Sequence, residues 1–210
     1  KFKNNLKKYS EKFKIDIKSN LNLNAYIMFT SGSTGEPKGV IISHKNLFYL
    51  IKWIKEDLKI KKKYVITNLN PLHFDNSVFD IYSSFFTGAS LVAFDNKEFF
   101  QTVDFFQKIK DTKCDVWFSV PSLLNLIIHI GGKKNFKNLN LKKIIFGGEK
   151  FPRESVAKIF KLLTKTEFYN VSGPTECTCI CSLYKIKKND LNRYDNIPIG
   201  GINKYFKFSI

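Results

Sequence analysis

The sequence predicts an α/β fold, a mostly parallel sheet with helices on both faces, and three observations carry that prediction. From residue 24 onward, short apolar runs of strand length alternate with longer stretches whose apolar residues recur at helical spacing. Each strand-helix-strand unit of this kind brings the next strand back parallel to the last. A chain of 210 residues that is 43% hydrophobic and 15% aromatic has enough apolar surface to bury a core. A loop that alternates glycine with hydroxyl residues follows the first strand-like run, and open parallel sheets gather ligand sites in loops beyond the carboxyl ends of strands.

The elements follow in order. Ala25 to Thr30 reads as a strand, and Ser43 is placed to cap a helix in which Leu47, Leu50, Ile51, Ile54 and Leu58 share a face. Tyr64 to Leu69 is a strand, Ser77 to Phe86 a helix stopped by Gly88, and Ser90 to Phe94 a strand. Glu98 to Lys110 makes one long amphipathic helix and Asp115 to Val120 a strand. Pro121 opens the next helix, because its fixed φ suits a first turn and its missing N–H has no helical partner to lose there. Gly131 to Asn140, rich in Gly, Lys and Asn, reads as a solvated loop. Lys143 to Phe146 is a strand, Pro152 to about Lys165 a helix, and Glu167 to Tyr169 a strand. Residues 1–20 form a basic lead-in that fits a surface helix and a frayed segment equally, residues 21–210 form the domain core, and there is no internal repeat.

The formal net charge of +17 invites a nucleic-acid reading, yet all but two of the 35 basic residues are lysines, the exceptions being Arg153 and Arg193. Readers of phosphate and base edges lean on arginine forks, so the excess argues against a nucleic-acid partner. Together with abundant Asn, Ile and Phe it looks like the residue usage of an AT-rich genome. No apolar run reaches bilayer length, and Lys1 to Lys18 lacks the apolar core of a secretion signal. A cytoplasmic setting with no membrane partner is the expectation. The first residue is Lys, so the chain reads as an excerpt. Among the four cysteines, Cys177, Cys179 and Cys181 alternate, a spacing poorly suited to C-x-x-C metal or redox chemistry. They read as small apolar residues on one face of a buried strand.

The loop itself is Thr30-Ser31-Gly32-Ser33-Thr34-Gly35-Glu36-Pro37-Lys38-Gly39, preceded by the apolar Tyr26-Ile27-Met28-Phe29. Free backbone N–H groups, hydroxyl donors and one ammonium in so short a compass suit a polyphosphate. The signature G-x-x-x-x-G-K-[ST] is absent, since Pro37 precedes the lysine and Gly39 follows it. The run resembles instead the phosphate-binding signature of the adenylate-forming superfamily, which includes acyl-CoA synthetases, luciferases and the adenylation domains of nonribosomal peptide synthetases. Four further segments match in the same order: His73-Phe74-Asp75-Asn76-Ser77, Phe146-Gly147-Gly148-Glu149, Asn170-Val171-Ser172-Gly173-Pro174-Thr175-Glu176 and Ile197-Pro198-Ile199-Gly200. The resemblance spans about residues 24 to 208, and D-alanine:carrier-protein ligases are similar as well.

This resemblance implies the core of the large N-terminal domain of an adenylate-forming enzyme, an AMP-binding domain core that uses ATP and Mg²⁺. It implies activation of an amino acid as its adenylate, with release of pyrophosphate and transfer to a phosphopantetheinylated carrier protein. Joining two anions requires cations and oriented N–H donors, which the motifs supply. By resemblance, Thr30, Ser31, Gly32, Ser33, Thr34, Gly35 and Lys38 clasp the β- and γ-phosphates, Thr175 meets the α-phosphate, and Glu176 holds Mg²⁺. Lys38, Thr175 and Glu176 form the catalytic set. Gly147 and Gly148 let the backbone approach adenine and ribose, and Glu149, Asn170, Ser172 and Gly173 complete the nucleotide site. The reading requires Lys38 and Glu176 to share one cleft.

Asp75 carries the substrate class. In amino-acid-activating members of the superfamily the aspartate here pairs with the α-ammonium group, while fatty-acid and aryl-acid activating members usually lack it. The other reading of Asp75 is a cap on the helix that follows. Carried over position by position, Asn76, Phe79, Ser119, Ile145, Gly147, Val171, Cys179 and Ile180 line the side-chain cavity along with Asp75, which fits a small or medium neutral amino acid. His73 reads as pocket wall and His44 as a helix-start residue, because a carboxylate already ionised needs no base.

Two departures stand out. Ser172 occupies a position where an aromatic usually stacks on adenine, a contact worth about 1 kcal/mol. The family's ribose-binding aspartate, hinge and C-terminal lysine are expected beyond Ile210, so these residues are not expected to be competent alone. Acyl or aryl-acid ligation, and a truncated nucleotide-binding module without turnover, remain the alternatives.

Overall fold

The computed structural model describes residues 20–31, 35–193 and 195–207. Gly32, Ser33 and Thr34 of the phosphate loop lie outside the described residues, as do residues 1–19 of the lead-in. Two strands, β1 (Asn24–Thr30) and β2 (Lys38–Ser43), pair antiparallel as a hairpin separate from the main sheet. There follow α1 (His44–Trp53), β3 (Val65–Asn68), α2 (Asn76–Thr87), β4 (Ser90–Ala93), α3 (Thr102–Asp111) and β5 (Val116–Ser119). Next come α4 (Pro121–Gly131), α5 (Lys133–Lys137), β6 (Lys143–Gly147), α6 (Arg153–Leu162), β7 (Glu167–Ser172), β8 (Ser182–Lys185), α7 (Asp190–Arg193) and β9 (Gly201–Ile202).

The main sheet has the order β4-β3-β5-β6-β7-β8-β9. The strands from β4 to β7 are parallel, while β8 and β9 return antiparallel. Helices cover both faces, as expected for a sheet of crossovers. On one side α1 and α2 bury Leu47, Leu50, Trp53, Val78 and Phe79 against Ile66, Val116, Phe118 and Ile145. On the other, α3, α4 and α6 bury Phe105, Phe106, Leu124 and Val156 against Trp117, Ile144 and Phe146. Neighbours on one strand divide between the two cores, so β6 is buried along its whole length and reads as a continuous apolar run.

Charges gather at the amino ends of the strands. Lys143 opens β6 directly beside Glu167 at the start of β7, and the Glu167 carboxylate also pairs with Lys185. Burial alone would raise the Glu167 pKa, but the two ammonium groups outweigh it and hold the carboxyl down at about 2. Tyr169 donates to the same carboxylate at 3.1 Å. This cluster leaves the carboxyl edge of the sheet to other uses.

Four expectations need correction. The glycine-rich loop joins the strands of the hairpin and does not follow a parallel strand, because so short a connection allows only antiparallel pairing. The Glu98 to Lys110 helix is broken: the Glu98 carboxylate folds back onto the Asp95 N–H at 2.6 Å and receives Lys108 Nζ at 2.7 Å. A tight turn, Asn96–Phe99, results, and Phe99 turns inward while Phe100 stays exposed. Gly131 to Asn140 is more than a solvated loop, since α5 lies within it and drives Phe136 fully into the core against Phe106 and Trp117. The cysteine run is not a strand: Thr178 and Cys179 have φ of 60° and 73°, which reverses the chain and leaves only Cys179 of the three buried.

Phe136 tests that packing. Phe136→Ala is expected to lower stability by about 3–5 kcal/mol, read from the urea midpoint at constant m-value, because the surrounding rings cannot collapse onto the void.

Candidate active site

Four loops leave the carboxyl edge of the sheet and enclose a cavity of about 520 Å³. After β3 the chain passes through Leu69, Asn70 and Pro71 to Phe74 and Asp75 at the head of α2; after β5 it turns at Val120 into α4. The turn after β6 contributes Gly147, Gly148 and Glu149, and the one after β7 contributes Gly173 to Thr175. Val171, Cys179 and Ile180 close the remaining wall. A β-carbon on Gly147 would stand 2.3 Å from the Val171 carbonyl oxygen, so β6 and β7 approach here only because that side chain is missing. Gly148 follows with a φ of +85°, leaving bare backbone along the cavity edge.

Asp75 occupies the N-cap position of α2 but its side chain makes no capping hydrogen bond. The carboxyl is half-buried. Burial raises its pKa, the Thr175 hydroxyl that donates to it lowers it again in part, and the nearby charge of Glu176 pushes in the same direction as burial. The two motif segments that hold Asp75 and Thr175, a hundred residues apart in the chain, are therefore brought together at one cavity.

The hairpin stands beside the cavity and shares a separate groove with the head of α2. Its strands meet at the loop with Thr30 opposite Lys38, and β2 packs against the short turn Thr175–Cys177 that carries Glu176. Lys38, Ser31, Gly35 and Glu176 are exposed, and Thr30 is half-buried. On β1, the Tyr26 hydroxyl is enclosed without a hydrogen-bond partner among the described residues. Its pKa is raised by burial and then by Cys179 and Asp75, which places the hairpin beside the same carboxylate. Asp75 and Thr175 line the cavity, while Lys38 and Glu176 do not line it and lie on the two elements, β2 and the Thr175–Cys177 turn, that pack together beside it.

Residues 3–202 match the sequence model of the family described as AMP-binding enzyme. The chain belongs to the AMP-binding enzyme family. It is 35% identical over 177 residues, 84% of its length, to the D-alanine–D-alanyl carrier protein ligase of Bacillus cereus (strain AH187), and spans 35% of that relative. Among solved structures it is similar to the Vibrio cholerae adenylation domain AlmE in complex with glycyl-adenosine-5'-phosphate. There the TM-score is 0.76 at 26% identity, covering 88% of this chain and 34% of that one. The Klebsiella oxytoca NpsA N-terminal subdomain in complex with 3-hydroxybenzoyl-AMSN has a TM-score of 0.79 at 19% identity, covering 96% and 50%, and supports the fold alone. The chain thus spans about a third of the length of the curated relatives it matches.

Several residues that the family resemblance assigned to the site are held elsewhere. Phe79, Ser119 and Ile145 are completely buried and do not reach the cavity: Phe79 packs edge-on against Phe118, and Ser119 Oγ accepts Trp117 Nε1 at 2.8 Å. Asn170 is also off the cavity, its amide donating to the carbonyls of Ile197 and Pro198 at 3.2 and 3.0 Å. It ties two motifs together. Ser172 uses its carbonyl to accept the Cys181 N–H at 2.9 Å and likewise does not line the cavity. Glu149 lines it but spends its carboxylate on Ser122, accepting the backbone N–H at 3.0 Å and the hydroxyl at 2.9 Å. It caps the first turn of α4, where no other side chain does so. His73 stacks on Phe74 and faces a different groove. Sequence reasoning missed Asn70, Phe99, Val120 and Leu123, which carry no motif and reach the cavity only through the broken helix and the strand ends.

Beneath the cavity lies a second acid. Asp80 is fully buried on α2, its Oδ2 accepting the Asn70 and Asn68 amides at 2.9 and 3.2 Å. Burial pushes its pKa up to about 8, against partial relief from the two amides. An unfolded aspartate loses its proton near pH 3.8. Between those values the folded chain holds one proton more than the unfolded one, so this group makes stability fall as pH rises from about 4 to about 8 and contributes no slope above that. Asp80→Asn is expected to remove that slope. Denaturation midpoints across this range should diverge from those of the unsubstituted chain in favour of the variant as pH rises.

Proposed function

We propose that this chain forms the nucleotide- and substrate-binding core of an enzyme that activates an amino acid as its aminoacyl-adenylate, releasing pyrophosphate, for transfer to the phosphopantetheine thiol of a carrier protein. One observation supports this reading: a partly buried carboxylate, Asp75, lines the same cavity as Thr175, which begins the turn that carries Glu176 and against which the strand starting at Lys38 packs. The anionic end of the cleft fits the α-ammonium group of an amino acid. The hydroxyls, glycine backbone and lysine of the hairpin fit a triphosphate.

The chemistry follows from those neighbours. The substrate carboxylate attacks the α-phosphorus and the bond to pyrophosphate breaks, so negative charge must be stabilised on the phosphoryl oxygens and on the leaving group. Lys38 supplies a point charge and the Thr175 hydroxyl a donor. Glu176, exposed on its turn, would offer a hard carboxylate oxygen to Mg²⁺, whose charge would screen the polyphosphate. The backbone of Gly147 and Gly148, which lines the cavity, is the surface offered to adenine and ribose. The carrier-protein acceptor is supported by the similar D-alanyl carrier protein ligases, and the aminoacyl-adenylate by the glycyl-adenylate complex of AlmE.

Amino-acid-dependent pyrophosphate exchange by the protein in its full coding length tests the proposal. Asp75→Ala is expected to lower kcat/KM for the amino acid by about 100-fold while leaving ATP affinity, measured by titration calorimetry, unchanged. Because burial raises the Asp75 pKa, the amino-acid KM should begin to rise with falling pH earlier than for an exposed aspartate, and Asp75→Asn should flatten that dependence. Exchange only with acids that lack an amine would point to an acyl or aryl ligase and sink the amino-acid assignment.

A further inference from the structure

The floor of the cavity holds a polar side chain that no motif marks. Asn70 is only 7% exposed and lines the cavity between Leu69 and Pro71. Both hydrogens of its amide are committed, since Nδ2 donates to Asp80 Oδ2 at 2.9 Å and to the Phe118 backbone carbonyl at 3.1 Å. A backbone carbonyl can only accept, so the nitrogen end must face Phe118 whatever the protonation of Asp80. The orientation of the amide therefore follows from its partners. Asn68 Nδ2 reaches both the Asn70 carbonyl, at 3.4 Å, and Asp80 Oδ2, at 3.2 Å, and holds the same loop from a third direction. What remains is Asn70 Oδ1, which is not among the fully enclosed, unpartnered side-chain atoms. Leu69, Phe99, Val120 and Leu123 supply apolar lining to the same cavity.

We infer that Asn70 Oδ1 is a fixed hydrogen-bond acceptor for the substrate, and that the cavity selects an amino acid whose side chain carries a donor, a hydroxyl or an amide N–H. The inference rests on the amino-acid-adenylating function proposed above and names the substrate class more narrowly. Asp75 takes the ammonium group at one side of the cavity, and Asn70 takes the second donor on the floor. An apolar side chain of the same shape would leave the Asn70 oxygen dry and unpaired, which disfavours it. Asp80 touches no substrate: it is a positioning residue that, as the second acceptor beside the Phe118 carbonyl, holds the Asn70 amide in place.

Pyrophosphate exchange by the full-length protein with shape-matched pairs, threonine against valine and serine against 2-aminobutyrate, tests this. The donor-bearing member of one pair should be favoured by about tenfold or more in kcat/KM. Asn70→Leu should bring that ratio close to one, lowering kcat/KM for the donor-bearing substrate and raising it for the apolar one, which no longer leaves an oxygen unpaired. Asp80→Ala should erode the same ratio through KM with kcat held, and Asp80→Asn, which keeps an acceptor for the Asn70 amide, should restore it. If Asn70→Leu does not fold, as judged by circular dichroism, the two Asp80 variants decide by themselves. A ratio untouched by Asn70→Leu or by Asp80→Ala, or a preference for the apolar members, overturns the inference while leaving amino-acid activation standing. Absence of exchange with every amino acid overturns both.

Discussion

Parallel pairing is the constraint from which the rest of this molecule follows. Because β4, β3, β5, β6 and β7 all point the same way, their carboxyl ends meet along one edge, and every crossover must leave from that edge. The loops there cannot all pack as closely as the strands beneath them, and the space between them is the cavity. At the opposite edge the strand starts are pinned by Lys143, Glu167 and Lys185. One end of the sheet is tied by charge and the other stays open to a ligand.

Four carboxylates around that open end have four different tasks, and their surroundings assign them. Glu149 satisfies a helix N-terminus through Ser122. Asp80 is sealed under α2 with two amides and keeps its proton to about 8. Asp75 is only partly buried and shares a hydroxyl with Thr175, so a cation arriving in the cavity can still reach it. Glu176 lies exposed on its turn beside the hairpin. Chemically identical groups are separated by solvent access and by the donors within reach.

Much of this was legible in the chain. Alternation of period two and period 3.6 found the helices and the parallel strands, and the ordered glycine, threonine and acidic motifs pointed to one nucleotide cleft before any contact was known. The hairpin partner strand was not legible: Lys38 to Ser43 follows directly on a loop of turn-forming residues, and its pairing depends on β1 folding back on it. The break at Phe99 was hidden because Glu98 has high helix propensity, and only the reach of its carboxylate to Asp95 and Lys108 shows why the turn stops. Phe136 sat in a lysine- and asparagine-rich stretch, where local composition spoke for solvent and a hole between Phe106 and Trp117 spoke for burial.

By itself, then, the amino-acid order determined the fold class, the family and the identity of Lys38, Asp75, Thr175 and Glu176 as the groups to watch, since all of these are written in local spacing. Only the tertiary structure decided which side chains face the cleft. Phe79, Ser119 and Ile145 turned out to stand behind its wall, Asn170 to bind Ile197 and Pro198, and Asn70 to line the cavity with its amide nitrogen held by Asp80 and Phe118. Those outcomes hang on partners such as Phe118, 48 residues from Asn70, and no local pattern encodes which distant carbonyl will claim an amide.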